Sequence, residues 1–171
     1  MKMEDLRIFL LLIFLLSILF GLGGCLFDSP LELERQALHH AQKALDHANR
    51  LIPLLEVGSW DPAYKRAGKL KGELELSTNL LDRAMKRWAL RGESPLRYET
   101  DSMEILNDVA DNNQYIQDKL SLQIQGQGEI TASVQNRLID KAKENAKDLG
   151  RVVDKIGKAI DKHSAPEEEG S

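Results

Sequence analysis

The chain has 171 residues, of which 42% are hydrophobic, 29% charged and only 5% aromatic, and its formal net charge is -4. The negative charge gives no reason to expect a nucleic-acid partner. A single cysteine excludes an internal disulfide. A core so poor in aromatic side chains favours helices packed on helices over a β-sheet.

The first element is an uncharged apolar run over residues 8–22, which follows a start that holds Lys2 and Arg7. The run is shorter than the ~20 residues that a helix needs to cross a membrane. Its length is typical of the apolar region of a cleaved signal peptide. An uncleaved membrane helix is the alternative interpretation, supported by the acidic Glu4 and Asp5 near the start.

The apolar run ends in Leu22-Gly23-Gly24-Cys25, which contains the one cysteine of the chain. This tetrapeptide resembles the lipobox of bacterial lipoprotein precursors. The resemblance implies that residues 1–24 are a signal peptide, that cleavage falls between Gly24 and Cys25, and that diacylglycerol and fatty acyl chains such as palmitate are attached at Cys25. No cofactor other than this covalent lipid is expected. Several acyl chains together anchor a protein firmly, whereas one alone is marginal.

Leu26 follows the cysteine, where an aspartate is associated with retention in the inner membrane of Gram-negative bacteria. The resemblance therefore implies an outer-membrane lipoprotein that faces the periplasm, if the cell is Gram-negative. The sequence alone leaves the membrane, inner or outer, open. Residues 25–29 are predicted to be the lipidated cysteine and a short tether.

Three dipeptides mark helix starts: Ser29-Pro30, Asp61-Pro62 and Ser94-Pro95. In each, an oxygen-bearing side chain can cap the helix, and proline suits the first helical position. With a further break at Gly126-Gln127-Gly128, the sequence predicts four helices, at 30–56, 62–91, 95–124 and 129–162. Pro53 is expected to end or kink the first helix near Ile52. The acidic residues 164–171 are predicted to be a disordered tail.

Apolar residues recur at intervals of three and four in every predicted helix. The stripe of the first helix consists of Leu38, Ala41, Leu45, Ala48 and Ile52. Those of the third and fourth run from Met103 to Ile124 and from Ala142 to Ile160. One stripe per helix predicts an all-α, elongated, antiparallel four-helix bundle over residues 30–163. An acidic third helix between a basic second and a lysine-rich fourth indicates sequential packing.

The sequence holds no recognisable catalytic motif, so we expect a protein that is not an enzyme. Metal ligation has only weak candidates, His40, His47 and His163, because no histidine follows a glutamate at the spacing used by di-iron bundles. A bundle that carries haem or a metal ion is the alternative function. The default is a histidine at the surface or at the edge of the core.

The remaining features predict a binding module held at a membrane surface. Trp60, in the first loop, is a candidate anchor for a partner, or else a cap on the end of the core. Gly68 and Gly72 form a G-x-x-x-G pair that permits either close approach of helices within the bundle or a groove for a partner helix. The expected function is therefore that of a lipid-anchored envelope protein that binds another envelope protein, with self-association left open.

Overall fold

The computed structural model describes residues 29–165, which form four α-helices joined by short loops. The helices are α1 (Pro30–Glu56), α2 (Trp60–Leu90), α3 (Arg97–Ile124) and α4 (Ala132–Ser164). None of these helices combines the length and the apolar character that a membrane crossing requires.

Two predicted segments lie outside the described residues. They are the N-terminal segment with the expected signal peptide, Cys25 and most of the tether, and the end of the acidic tail from residue 166. The start of that tail is corrected, because Ser164 is the last residue of α4 and not part of an irregular segment.

Helix α1 begins as predicted at a serine–proline pair. Ser29 Oγ accepts a hydrogen bond from the Glu32 amide at 3.1 Å, and Pro30 occupies the first helical position. Proline has no amide hydrogen and the first-turn amides have no helical acceptor, so nothing is lost at this position. The bounds of α1 are those predicted from the sequence.

The predicted starts of the next two helices are each wrong by two residues. Helix α2 begins at Trp60, because the Ser59 carbonyl accepts the first helical hydrogen bond, from the Ala63 amide at 3.0 Å. Pro62 is tolerated inside the first turn. Helix α3 begins at Arg97, after the predicted Ser94-Pro95 pair. Its first turn is closed by the Glu99 carboxylate, which accepts from the amide of the cap residue Leu96 at 2.5 Å.

The start of α4 also lies later than predicted, at Ala132 instead of residue 129. Thr131 is the cap, and its hydroxyl accepts from the Val134 amide at 3.4 Å. The glycines at 126 and 128 therefore break the chain some residues before the helix is capped.

Pro53 does not end α1 near Ile52, which corrects the sequence-based prediction. The helix continues to Glu56. A proline this close to the end removes only one internal hydrogen bond, and its own carbonyl accepts from the Val57 amide at 3.2 Å. Leu55 is fully buried, so the last turn is held against the core.

The four helices form a closed antiparallel ring. Helix α1 packs against α2 and α4, and α3 packs against the same two, while neither diagonal pair brings Cα atoms within 8 Å. Each helix would extend about 40–50 Å and the loops are too short to return along one, so consecutive helices run in opposite directions. The predicted all-α four-helix bundle is confirmed. We call the end where α1 and α3 begin the near end, and the opposite end the far end.

The packing of α1 depends on small side chains. Its central positions are fully buried alanines: Ala37, Ala41, Ala44 and Ala48. Small residues let helix axes approach closely, and α1 makes the most extensive contacts of the bundle, first with α2 and then with α4. The larger side chains of the predicted stripe lie at the partly buried edges of the core face of α1: Leu38, Leu45 and Ile52. The stripe predicted from large apolar residues was therefore rotated relative to the true core face.

Charge predicted the neighbours of α3 correctly. Between α3 and α4, Lys155 Nζ donates to Asp101 Oδ2 at 2.6 Å. Between α2 and α3, Lys71 Nζ is 3.4 Å from the side-chain oxygen of Gln114. The acidic helix is thus held between the basic ones, by an ion pair on one side and by a lysine–amide contact on the other.

Candidate functional site

At the near end, each helix contributes one side chain to a buried group that we call the end cluster: Glu34 from α1, Trp88 from α2, Glu99 from α3 and His163 from α4. Both glutamates are fully buried, and the His163 side chain is only 5% exposed. Glutamates are rarely buried to this degree unless they are paired. The end cluster is therefore the place in the described chain where buried polar chemistry is concentrated.

Trp88 fixes two members of the end cluster. Its Nε1 donates to Glu34 Oε1 at 2.5 Å. Its indole stacks on the His163 imidazole, with ring centroids 4.1 Å apart and planes at 15°. The guanidinium of Arg91 covers the indole at 5.4 Å from the ring centroid. Trp88 thereby sets how Glu34 and His163 lie relative to each other.

His163 is surrounded by carboxylates. Its Nε2 lies 3.5 Å from Glu34 Oε1 and 3.8 Å from Glu99 Oε2. Its Nδ1 lies 3.6 Å from Glu93 Oε2, on the loop between α2 and α3. Glu93 is about half exposed, at 49%, so it marks the side on which the end cluster approaches solvent.

Burial raises the pKa of Glu34 from its ordinary value of 4.5 to about 7. The hydrogen bond from Trp88 acts in the opposite direction, and the neighbouring Glu99 carboxylate raises the pKa again. A carboxyl group with a pKa near 7 exists in both protonation states at neutral pH. The end cluster can therefore gain or lose a proton under physiological conditions.

The structure separates the three histidines that the sequence offered as metal candidates. His40 Nδ1 lies 2.6 Å from Glu73 Oε2 between α1 and α2. His47 Nδ1 lies 3.0 Å from the guanidinium of Arg66. Burial and the Arg66 charge lower the pKa of His47. Of these three histidines, only His163 lies within 4 Å of more than one carboxylate. Haem binding stays a prediction.

Trp60 lies at the first turn of α2 and is partly buried against the core. A Cβ added to Gly58 would lie 3.4 Å from its indole. The packing of Trp60 against the core agrees with the interpretation that it caps the end of the core. A role in binding a partner stays a prediction.

Gly68 and Gly72 do not serve close approach between helices of this bundle. A Cβ on either would meet nothing within 4 Å, so that interpretation of the pair is wrong. Exposed residues surround the two glycines on the outer side of α2, and we call the group the open face: Tyr64, Lys65, Gly68, Lys69, Gly72 and Leu76. Tyr64 is 40% exposed and Leu76 46%.

Sequence reasoning missed the two glutamates of the end cluster, although a signal was present. Glu34 lies four residues before Leu38, the first residue of the predicted stripe on α1. Glu99 lies four residues before Met103, and His163 comes three residues after the last stripe residue of α4. All three therefore continue an apolar stripe toward the same end of the bundle. Polar residues at stripe positions were the available sign of a buried site.

Comparison of the chain with protein-family models, with curated proteins and with solved structures finds no match.

Proposed function

We propose that this chain is a lipid-anchored bacterial envelope protein whose helical bundle binds a partner protein and catalyses no reaction. The observation that carries the proposal is the open face of α2, which no other part of the described chain covers at its two glycines. Membrane attachment through Cys25 is the second part of the proposal and has its own test.

The anchor is supported by the sequence Leu22-Gly23-Gly24-Cys25 at the end of an apolar run. Helix α1 begins at Pro30, so only residues 26–29 separate the lipidated cysteine from the bundle. Fully extended, that tether reaches about 14 Å. The near end is then held close to the bilayer. The open face lies toward the far end, where α2 begins.

The row of residues on the open face supports a partner helix as the occupant. Gly68 and Gly72 are one turn apart, and Tyr64 and Leu76 continue the same row by one turn in each direction. The glycines leave a shallow recess with an exposed apolar side chain at either end. Small residues of this kind allow the backbone of a second helix to come close.

The charge of the open face indicates the chemistry of the partner. Lys65 and Lys69 are exposed beside the glycines, and neither lies within ion-pair distance of a carboxylate of the described chain. A complementary surface would be an amphipathic helix with acidic residues beside its apolar stripe. We therefore commit to an acidic partner helix as the occupant.

Photo-crosslinking in native membranes tests the partner. A photoreactive residue in place of Leu76, exposed at one end of the glycine row, should give an adduct that maps to an acidic amphipathic helix of one envelope protein. The matched probe at Lys147, exposed on α4, should not give it. Gly68→Leu should abolish the adduct by filling the recess, and Lys69→Glu should weaken it by reversing the charge. The same adducts from both probe positions, or an adduct unaffected by Gly68→Leu, would contradict the proposal.

Cell fractionation tests the anchor separately. Cys25→Ala should reduce the amount of the protein in the membrane fraction. Metabolic labelling with a fatty-acid analogue should mark the wild type alone. Equal labelling of both forms would exclude Cys25 as the lipidated residue. Equal membrane attachment without any label would favour the uncleaved membrane helix.

A further inference from the structure

The end cluster contains three buried ligand atoms that have no hydrogen-bond partner within the described chain: Glu34 Oε2, Glu99 Oε1 and His163 Nε2. Both carboxylates have no exposure to solvent, and the imidazole has almost none. An unsatisfied buried polar atom is costly. Three of them at one point of the fold indicate that something binds there.

The opposite oxygen of each glutamate accepts a hydrogen bond from another group, and a carboxylate lies beside the opposite nitrogen of the histidine. The Trp88 indole donates to Glu34 Oε1, and the Leu96 amide donates to Glu99 Oε2. Glu93 lies 3.6 Å from Nδ1 of the imidazole. Metal-binding sites have this arrangement, in which outer groups orient each ligand and leave one atom free for the ion.

The donor set selects a class of ion. One imidazole nitrogen and two carboxylate oxygens suit Zn²⁺ and related divalent transition metals, whereas Ca²⁺ requires six to eight oxygen ligands. One ligand atom from each of the three side chains can be chosen so that all lie within 4.8 Å of one another. Ligands at ~2.1 Å from a tetrahedral ion are about 3.4 Å apart. A contraction of at most about 1.4 Å between ligand atoms would therefore complete the geometry.

Charge also favours a divalent cation. With the two glutamates ionised and the histidine neutral, the end cluster carries two negative charges in a buried environment. A divalent cation would neutralise both charges, and so would the uptake of two protons from solution. These two ways of neutralising the same charge are alternatives that experiment can separate.

We propose that Glu34, Glu99 and His163 form a site for one divalent transition-metal ion at the near end of the bundle. The half-exposed Glu93 marks the side from which the ion enters. Three protein ligands leave a fourth position for water or another ligand. The site requires neither the anchor nor the partner helix of the proposed function, so each can fail without the other.

The test uses the full chain in detergent, without a histidine tag and freed of metal by a chelator. Calorimetric titration with ZnCl₂ should show one ion per chain, and Co²⁺ should give visible absorption bands that report nitrogen and oxygen ligands. His163→Gln and Glu99→Gln should each weaken Zn²⁺ binding at least about tenfold. The matched control is His40→Gln, which alters a histidine–glutamate pair elsewhere on α1 and α2 and should leave binding unchanged.

Thermal unfolding keeps the test decisive if one variant folds poorly. Zn²⁺ should raise the Tm of the wild type and of His40→Gln, but not that of Glu99→Gln, which keeps its shape and loses a charge. Absence of saturable Zn²⁺ and Co²⁺ binding by the wild type would overturn the proposal, and the end cluster would then be neutralised by protons alone. Equal Zn²⁺ affinity of His163→Gln and the wild type would overturn it as well.

Discussion

The Trp88 indole and the His163 imidazole lie nearly parallel, with planes at 15° and centroids 4.1 Å apart. Trp88 lies in the last turn of α2 and His163 in the last turn of α4. These two helices are diagonal to each other and bring no Cα atoms within 8 Å. The stacked pair therefore bridges the near end of the bundle across its centre. Because the same indole donates to Glu34, three of the four helices meet through one side chain.

Trp88→Phe should retain an aromatic ring beside His163 and remove the donor to Glu34. The hydrogen bond lowers the pKa of Glu34, so its loss should raise that pKa further. Leaving a buried acceptor unpaired should also cost about 1–3 kcal/mol of unfolding free energy. NMR titration of the Glu34 carboxyl carbon and urea denaturation measure the two effects. Trp60→Phe, outside the end cluster, is the control and should leave the Glu34 titration unchanged.

Glu34→Gln should remove a pH dependence from the stability of the metal-free protein. The folded pKa of Glu34, about 7, exceeds its ordinary value of 4.5. Between these values the folded state keeps a proton that the unfolded chain releases, so stability falls as pH rises. We expect the wild type to lose on the order of 2 kcal/mol through Glu34 between about pH 5 and pH 8. Denaturant titrations with chelator present should show a smaller fall for the variant; parallel curves would contradict the prediction.

His47→Gln should remove a loss of stability that occurs as pH falls, whereas the loss through Glu34 occurs as pH rises. Burial and Arg66 lower the pKa of His47, against a weaker opposite influence of Asp46 and Glu73. The unfolded chain therefore takes up the proton first, and the wild type loses stability as pH falls through about 6.5. The variant should gain relative to the wild type on acidification, as measured by unfolding free energies above and below that pH. A constant difference would show that His47 does not titrate differently on folding.

Ala44→Leu should disrupt the packing of α1. The site is fully buried where α1 meets its neighbours most closely, and extra methylenes in a packed core cost about 1–3 kcal/mol. Gln42→Leu introduces the same side chain at an exposed position of the same helix and should change stability by less than about 0.5 kcal/mol. Equal losses for both variants would mean that leucine is harmful irrespective of packing.

Gly58→Ala and Gly92→Ala test two turns with left-handed backbone. Their φ angles are +70° and +85°, where a Cβ is strained at roughly 1–2 kcal/mol. A Cβ at Gly58 would also meet Trp60 at 3.4 Å, whereas one at Gly92 would meet nothing within 4 Å. The Trp60 distance is an ordinary van der Waals contact, so we expect both variants to be less stable than the wild type by a similar loss of Tm, set by the backbone strain.

Local signals in the sequence were sufficient for the helices and their order. A serine–proline pair located the start of α1 because capping involves residues only a few positions apart. The same signal failed at Ser94-Pro95, where the Glu99 carboxylate instead closes the first turn of α3 through the Leu96 amide. Several residues near a helix end can cap it, and the sequence alone does not rank them.

The end cluster could not be predicted in the same way. Glu34, Glu99 and His163 come from three helices and meet only when the ring closes, so no spacing along the chain relates them. All three occupy a stripe position near a helix end. This property identifies candidate residues, but it does not show which of them lie together in the fold. The inward alanines of α1 show the same limit, because small residues contribute little to an apolar pattern and yet occupy the core.

The close packing of α1 through its buried alanines also determines which helices should unfold locally first. Helices α1 and α2 are joined by residues 57–59 alone and make the most extensive contact, whereas α3 contacts both of its neighbours less. Contacts between segments close in the chain form at a low entropic cost. In native-state hydrogen exchange, the central amides of the α1–α2 hairpin should therefore be the slowest to exchange and those of α3 the first to lose protection.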